Sequence, residues 1–167
     1  MEPFQANQDS ADRSANESIE PAHLALGRRG EELAAAYLDQ QGYAIVAANF
    51  TLPVGRTLRG RQVNAEIDLV AWEGTTLCFV EVKTRASDWF APPQANVDRR
   101  KQRQITRAAR AFRRMFGVED EPYRFDVVTV VLPAVEDRTL HLQVDLLRNF
   151  WTERQLQKQR WAENYYD

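Results

Sequence analysis

Apolar positions in this chain recur at two periods, and the switches between them mark out the elements. From His23 to Gln41, Leu26, Gly30, Leu33, Ala34, Tyr37 and Leu38 return at helical spacing and define one face. Gly42 is a fitting stop. On that helix Glu31 falls at the edge of the apolar face, near Ala34 and Leu38, whereas Glu32 falls well outside it. Tyr43 to Phe50 predicts a first strand. Thr51 to Asn64, with Pro53, Gly55, Gly60 and three arginines, reads as a mobile loop or a long hairpin connection. Two strands follow, Glu66 to Trp72 and Leu77 to Arg85, joined by the turn-like Glu73-Gly74-Thr75-Thr76. Ala86 to Asn96 holds Pro92 and Pro93 and reads as a loop. Val97 to Phe116 predicts a second helix, its apolar face drawn by Val97, Ile105, Ala108, Ala109, Phe112 and Phe116. Gly117 ends it. Tyr123 to Leu132 is a strand, Thr139 to Val144 a short last one, and Asp145 to about Trp161 a terminal helix anchored by Leu146, Leu147, Phe150 and Trp151. The distal part of that helix is expected to fray. The order is α-β-β-β-α-β-β-α, for which a central sheet flanked by helices is the natural α/β solution.

The two central strands carry charge where strands of this kind do not. Side chains alternate along a strand, so Glu81 and Lys83 share a face with Leu77 and Phe79, and Asp68 shares one with Glu66 and Val70. A buried charge must be paired, protonated or metal-bound. Two carboxylates and a lysine near one hairpin suit a divalent-metal phosphodiesterase, whose acids hold Mg²⁺ or Mn²⁺ while the lysine handles the attacking water or the phosphate charge. The plainer alternative is an ion pair on an exposed strand with Asp68 as an edge charge, since charged strand residues commonly face water. Lys101 lies four residues from both Val97 and Ile105. A lysine on that inward face either snorkels past the core edge or serves a site.

Composition narrows the field. The chain has 167 residues, enough for one domain with a real core, and 44% apolar with 28% charged residues is ordinary for a globular protein. No apolar run approaches a membrane span, and the first residues lack the basic start and apolar core of a secretory signal. The lone Cys78, inside a strand, reads as a small buried hydrophobe. A cytoplasmic location is the expectation. There is no phosphate-binding glycine loop, no zinc-type Cys or His cluster (only His23 and His141 exist), and no Gly-x-Ser-x-Gly elbow. Residues 1–22 hold five acids against Arg13, are poor in large apolar residues and read as a disordered tail of charge −4. The overall −2 therefore leaves +2 for the rest of the chain. There Arg99, Arg100, Lys101, Arg103, Arg107, Arg110, Arg113 and Arg114 crowd one helix, and Arg56, Arg59 and Arg61 form a second basic group. Phosphate attraction is local at physiological salt, so such patches outweigh the total.

Taken together, Gly27-Arg28-Arg29-Gly30-Glu31, Gly42-Tyr43, Glu66-Ile67-Asp68-Leu69-Val70, Phe79-Val80-Glu81-Val82-Lys83-Thr84-Arg85, Lys101 and Arg124-Phe125-Asp126-Val127-Val128 resemble the YraN-like family. These are small bacterial proteins assigned to the PD-(D/E)xK nuclease superfamily. The likeness runs in order from about His23 to Phe150. It implies a restriction endonuclease-like core, similar to that of archaeal Holliday junction resolvases, with a mixed sheet between helices and a metal site at a fork between strands. Ile67 replaces the proline that names the superfamily, Ala65 stands where the family usually has Gly, and the 51–64 connection is longer than usual.

By position the resemblance implies catalytic roles for Asp68, Glu81, Lys83 and Glu31. Asp68 and Glu81, with the Val82 carbonyl, would ligate Mg²⁺ or Mn²⁺. Glu31 would complete the metal shell through water or orient Lys83. Lys101 sits where the family carries a helix lysine. Lys101, Arg103, Arg107, Arg110 and Arg85 are the candidates for contacts to nucleic acid, most readily a DNA backbone. The expected organisation is a tail over 1–22, an endonuclease-like domain over 23–150 and a helical extension over 151–167. A non-catalytic nucleic-acid-binding module of the same fold is the alternative, and an adaptor for an acidic protein partner a third reading. Retention of acid, acid and lysine together favours the nuclease.

Overall fold

A computed structural model describes residues 21–86, 96–133 and 141–157. The expected tail up to residue 20, the 87–95 part of the expected loop, residues 134–140 with the start of the expected Thr139–Val144 strand, and residues 158–167 lie outside the described residues. In chain order the elements are α1 (Ala22–Gln40), β1 (Ala44–Arg56), β2 (Gln62–Glu73), β3 (Thr76–Ala86), α2 (Arg99–Phe116), β4 (Tyr123–Leu132) and β5 (Gln143–Trp151), with residues 153–157 helical after them. The strands form one sheet in the order β1-β2-β3-β4-β5. Every neighbouring pair is antiparallel except β3 and β4, which run parallel. A parallel pair needs a crossover, and α2 supplies it. The mixed sheet between helices is therefore the expected α/β fold.

The helices cover opposite faces. α2 packs over Phe79, Phe125 and Trp151 through Ile105, Ala108 and Phe112. α1 lays Ala34 and Leu38 against Leu69, Val80 and Val128. β3 is thus buried on both faces, which explains its near-continuous apolar run. Each buried Leu or Phe in these layers contributes roughly 1.5–3 kcal/mol. Cys78 is fully buried, as expected, and burial pushes its thiol up to about 12.

Two boundaries differ from the sequence reading. Residues 51–56 and 62–64 are strand, so the 51–64 segment is a long hairpin whose turn is only Thr57 to Arg61. Pro53 is tolerated because β1 is an edge strand. Residues 145–151 are strand rather than helix. The cause is a bulge: Phe125 pairs Trp151 while Val127 pairs Leu147, so β5 spends extra residues there, and Asn149 takes φ 52°. Bulging after normal alternation spaces Leu146, Leu147, Phe150 and Trp151 like a helical stripe. Trp151 instead stacks on Phe125 at 4.9 Å and donates to Thr106 Oγ1 at 3.2 Å.

α1 is pinned to β3 at Gly30. A Cβ there would lie 1.7 Å from Thr84 Oγ1 and 2.7 Å from Thr84 Cβ, so only glycine permits this approach. Gly30→Ala should cost about 1–3 kcal/mol through overpacking, read by urea unfolding. Thr84→Ala in the same chain should restore part of the loss, because it removes Oγ1 and Cγ2 but leaves Cβ. Additive costs in the double variant would show that the two residues do not press on each other.

Candidate active site

The sheet forks between β2 and β3. The two strands pair from Glu73↔Thr76 only as far as Leu69↔Val80. Beyond that point β2 continues against β1 to Gln62, and β3 continues against β4 to Ala86. Parting leaves inward-facing backbone groups without a ladder partner, and such groups must be satisfied when buried. Asp68 does this: its Oδ2 accepts the Val82 N–H at 2.7 Å across the gap. N–H and C=O of one strand residue point to the same side, so the Val82 carbonyl faces the same opening.

Around this bond gather the charges singled out in the sequence. Glu81 is 2% exposed and Asp68 9%. Lys83 Nζ donates to Glu81 Oε1 at 2.7 Å. Lys101 Nζ stands 3.2 Å from Glu81 Oε2, an ion pair without hydrogen-bond alignment, and that oxygen takes no hydrogen bond among the described residues. Lys101 thus serves the site rather than only snorkelling. It is held there by the helix start, where Asp98 Oδ1 accepts the Lys101 backbone N–H at 2.8 Å as an N-cap. Glu31 enters from the opposite face of the sheet on α1 and is close enough to feel both Glu81 and Lys101. Glu32 points away and pairs with Arg29. The fork is therefore where the two layers meet.

Two members were missed in the sequence. Asn49 lies on β1 between the pairs Ala48↔Leu69 and Phe50↔Ile67, opposite Asp68, and its side chain favours the charged form of Glu31. Its φ of 51° is a conformation that Asn adopts more readily than most residues. An Asn inside an apolar strand was the available signal. Glu66, read only as sharing a face with Asp68, is exposed and acts electrostatically on Glu31 and Lys101.

The electrostatics are lopsided. Among the described residues named here, Glu31, Glu66, Asp68 and Glu81 gather with Lys83 and Lys101, an excess of two negative charges when all are ionised. Asp68 answers by holding its proton: burial first, then the Glu81 charge, raises its carboxyl to about 7, against the opposing Val82 N–H bond and Lys101. Glu31 is also raised, chiefly by burial. Burial would depress the Lys101 ammonium, yet Glu81 and Asp68 leave it raised. Among the described residues no three Asp, Glu, His or Cys groups form a metal cage. Mg²⁺ does not require one, since it binds through one or two carboxylates and keeps several waters. Two buried carboxylates, an oxygen without a hydrogen bond and this local excess of negative charge fit such an ion.

The predicted basic residues are distributed differently. Arg85 is exposed two residues past Lys83 on β3. Arg103 is half-buried and Arg107 exposed on α2. Arg110 is bound by Glu153, with Nε 2.9 Å from Oε2. A separate charged network at the other end of β4 joins Arg124 to Asp126 (2.8 Å), Glu73 (2.6 Å) and Tyr43 (2.8 Å), with Arg148 also on Glu73 (2.7 Å). Its charges balance, which marks it as structural.

The fold is thus an α/β domain that sets an acid, an acid and a lysine at a strand fork, the arrangement the sequence motifs imply. Residues 30–130 match the family described as uncharacterised protein family UPF0102. The chain is 45% identical over 116 residues to a UPF0102 protein of Koribacter versatilis (strain Ellin345), covering 70% of this chain and 75% of that one. It is 42% identical over 130 residues to one of Chlorobium chlorochromatii (strain CaD3), covering 77% and 92%. A Geobacter sulfurreducens relative is 44% identical over 107 residues, covering 64% and 76%. The chain belongs to the UPF0102 family, the YraN-like group to which its motifs pointed. No helix among the described residues is long and apolar enough to cross a membrane.

The raised Asp68 carboxyl makes a prediction with a definite sign. Between about pH 4 and pH 7 the folded protein keeps a proton that the unfolded chain releases, so metal-free stability should fall as pH rises through this window. Asp68→Asn can still accept the Val82 N–H and carries no charge. In EDTA at pH 8 it should melt on the order of 5 °C above wild type, and the gap should close near pH 4. Added Mn²⁺ should raise the melting point of wild type but not of the variant. A variant less stable than wild type at pH 8 would show that Asp68 is an ordinary structural acid.

Proposed function

We propose that this protein is a divalent-cation-dependent nuclease that hydrolyses phosphodiester bonds at the β2–β3 fork. The observation that carries the reading is the convergence there of buried Asp68 and Glu81 with Lys83 in direct contact with Glu81. Asp68 and Glu81 would hold Mg²⁺ or Mn²⁺, with the Val82 carbonyl on the same side of the gap. When bound, the ion lowers the pKa of a water and offsets charge that develops on the phosphate.

The side chains divide the remaining work. Lys83 reaches the fork along its own strand with a side chain about one-third exposed, so its ammonium can meet both Glu81 and a substrate from solvent. It would orient the attacking water or hold a phosphate oxygen. Lys101 supports Glu81 from α2 and keeps that carboxylate aimed at the fork. Glu31, beside Asn49, would hold water on the opposite side. Arg85, Arg103, Arg107 and Arg110 with Lys101 would supply the positive field for a sugar–phosphate backbone, read without regard to sequence. DNA is the favoured polymer.

Branched, double-stranded and single-stranded DNAs and RNAs, incubated with the purified chain and Mg²⁺ or Mn²⁺, test the reading. Cleavage of at least one substrate is expected, and it should stop in EDTA. Lys83→Ala should slow cleavage about 10²–10⁴-fold while leaving affinity nearly unchanged, because it removes one charge from several. Binding without cleavage by the wild-type chain, with either metal and every substrate, would move the assignment to a non-catalytic binding module.

A further inference from the structure

α2 carries its arginines on more than one side, and the structure sorts them by what already holds them. Arg113 ties the end of its helix to the turn that follows: it donates to the carbonyls of Val118 and Glu119 and lies over the Tyr123 ring at 3.9 Å. Arg110 is tied to Glu153. Arg107 and Arg114 make no ion pair among the described residues and both are exposed. They are seven residues apart, two turns of helix, and therefore project on one side about 10 Å from each other. Both line a cleft of about 290 Å³ between α2 and β1, walled by Pro53, Val54 and Ala111, with Arg110 at its edge.

The cleft opens beside the β1–β2 hairpin, whose tip adds more positive charge. Thr57 N–H donates to the Arg61 carbonyl at 2.8 Å and Gly60 N–H to the Thr57 carbonyl at 2.8 Å, so the turn is a defined one. Arg56, Arg59 and Arg61 are exposed around it, and Leu58 at the tip is wholly exposed. Acids are absent from both the cleft lining and the segment Val54 to Gln62.

We propose that this cleft seats one sugar–phosphate strand of a double-stranded nucleic acid, with Arg107 and Arg114 on phosphates about three base pairs apart and the hairpin arginines extending the track. The inference rests on the nuclease reading for its direction, because the same helix begins at the fork with Lys101. Arg107 and Arg114 lie six and thirteen residues beyond Lys101, about 9 and 20 Å along the axis. At about 3.4 Å per base pair that places the contacts roughly three to six base pairs from the cut. A duplex suits the cleft better than a single strand. Sequence-tolerant single-strand sites stack bases on aromatic rings, and this lining has none. Arginines fixed on a rigid helix match a strand whose phosphates are already regularly spaced.

The test is binding in EDTA, so that cleavage plays no part. Fluorescence anisotropy with a labelled 24-base-pair DNA duplex, the RNA duplex of the same sequence and each single strand should rank a duplex first. R107A/R114A should bind that duplex roughly 10–100-fold more weakly at 0.1 M salt, and its log–log salt slope should shrink by about 1.8. Arg107→Lys with Arg114→Lys should recover most of the affinity, and equal melting points would confirm that all three chains are folded. Wild-type affinity in R107A/R114A would overturn the proposal, and so would tighter binding to a polyglutamate peptide or to phosphatidylglycerol vesicles than to either duplex. If the wild-type chain cleaves but the double variant binds normally, the cleft is wrong and the nuclease stands. If nothing is cleaved but duplex binding needs both arginines, the cleft stands and the hydrolytic reading falls.

Discussion

One hydrogen bond across a gap governs this structure: Asp68 Oδ2 accepting the Val82 N–H where β2 and β3 part. Strands that separate inside a protein expose backbone groups, and a buried orphan costs about as much as a lost hydrogen bond. The ladder here is replaced by a side chain, and that side chain is ionisable. The fork therefore needs a buried side-chain acceptor, and here that acceptor is a carboxyl group. Burial and its proximity to Glu81 raise the Asp68 carboxyl, so the bond that keeps the sheet intact also creates an electrostatic need. Structure and chemistry use the same atom.

The contrast with the second charged network shows how the two kinds of cluster differ. Around Arg124, two arginines face Glu73 and Asp126, with Tyr43 as a shared neutral partner and Asn149 N–H completing Asp126 at 2.8 Å. Every charge there is answered by a fixed partner. At the fork, among the described residues, four acids gather with two lysines, and Glu81 Oε2 has an ion-pair contact but no aligned hydrogen bond. In a balanced network each charge is compensated where it sits, whereas an unbalanced one persists because the surrounding packing imposes it, and such imbalance is typical of functional sites. The packing here is specific: glycine at position 30 lets α1 lie against Thr84, and the Asp98 cap starts α2 where Lys101 can reach Glu81. Each helix brings one charged side chain to the fork from its own face of the sheet.

Much of this was legible in the sequence because it depended on local spacing. The alternation around Glu81 and Lys83, the helical edge position of Glu31 and the inward register of Lys101 each follow from a period that the chain displays. What was illegible depended on breaks in the period. β5 bulges at Arg148 to Phe150, and strand residues then repeat as helix residues do. β1 runs on through Pro53 and Gly55, which as an edge strand it can do without losing a ladder bond. Asn49 was missed for the same reason: its role arises from a left-handed residue within a strand, and no pattern of apolar positions encodes that.

The basic helix teaches the complementary lesson about charge. In the sequence, Lys101, Arg107, Arg110, Arg113 and Arg114 are equivalent members of one patch. The partners of three of them lie outside the helix: Glu81 on β3, Glu153 beyond β5, and Val118 and Glu119 in the turn that follows it. The two carboxylates each offset one cation in the field that a phosphate would meet, whereas the carbonyls hold Arg113 in place without removing its charge. Counting arginines therefore overstates the electrostatic footprint, since binding depends on charges that can release counterions. Arg107 and Arg114 matter because nothing among the described residues neutralises them and the helix holds them rigid. The same α2 that aims Lys101 inward at its first turn presents these two outward further along, so one rigid element fixes the distance between the fork and the surface that would carry the substrate.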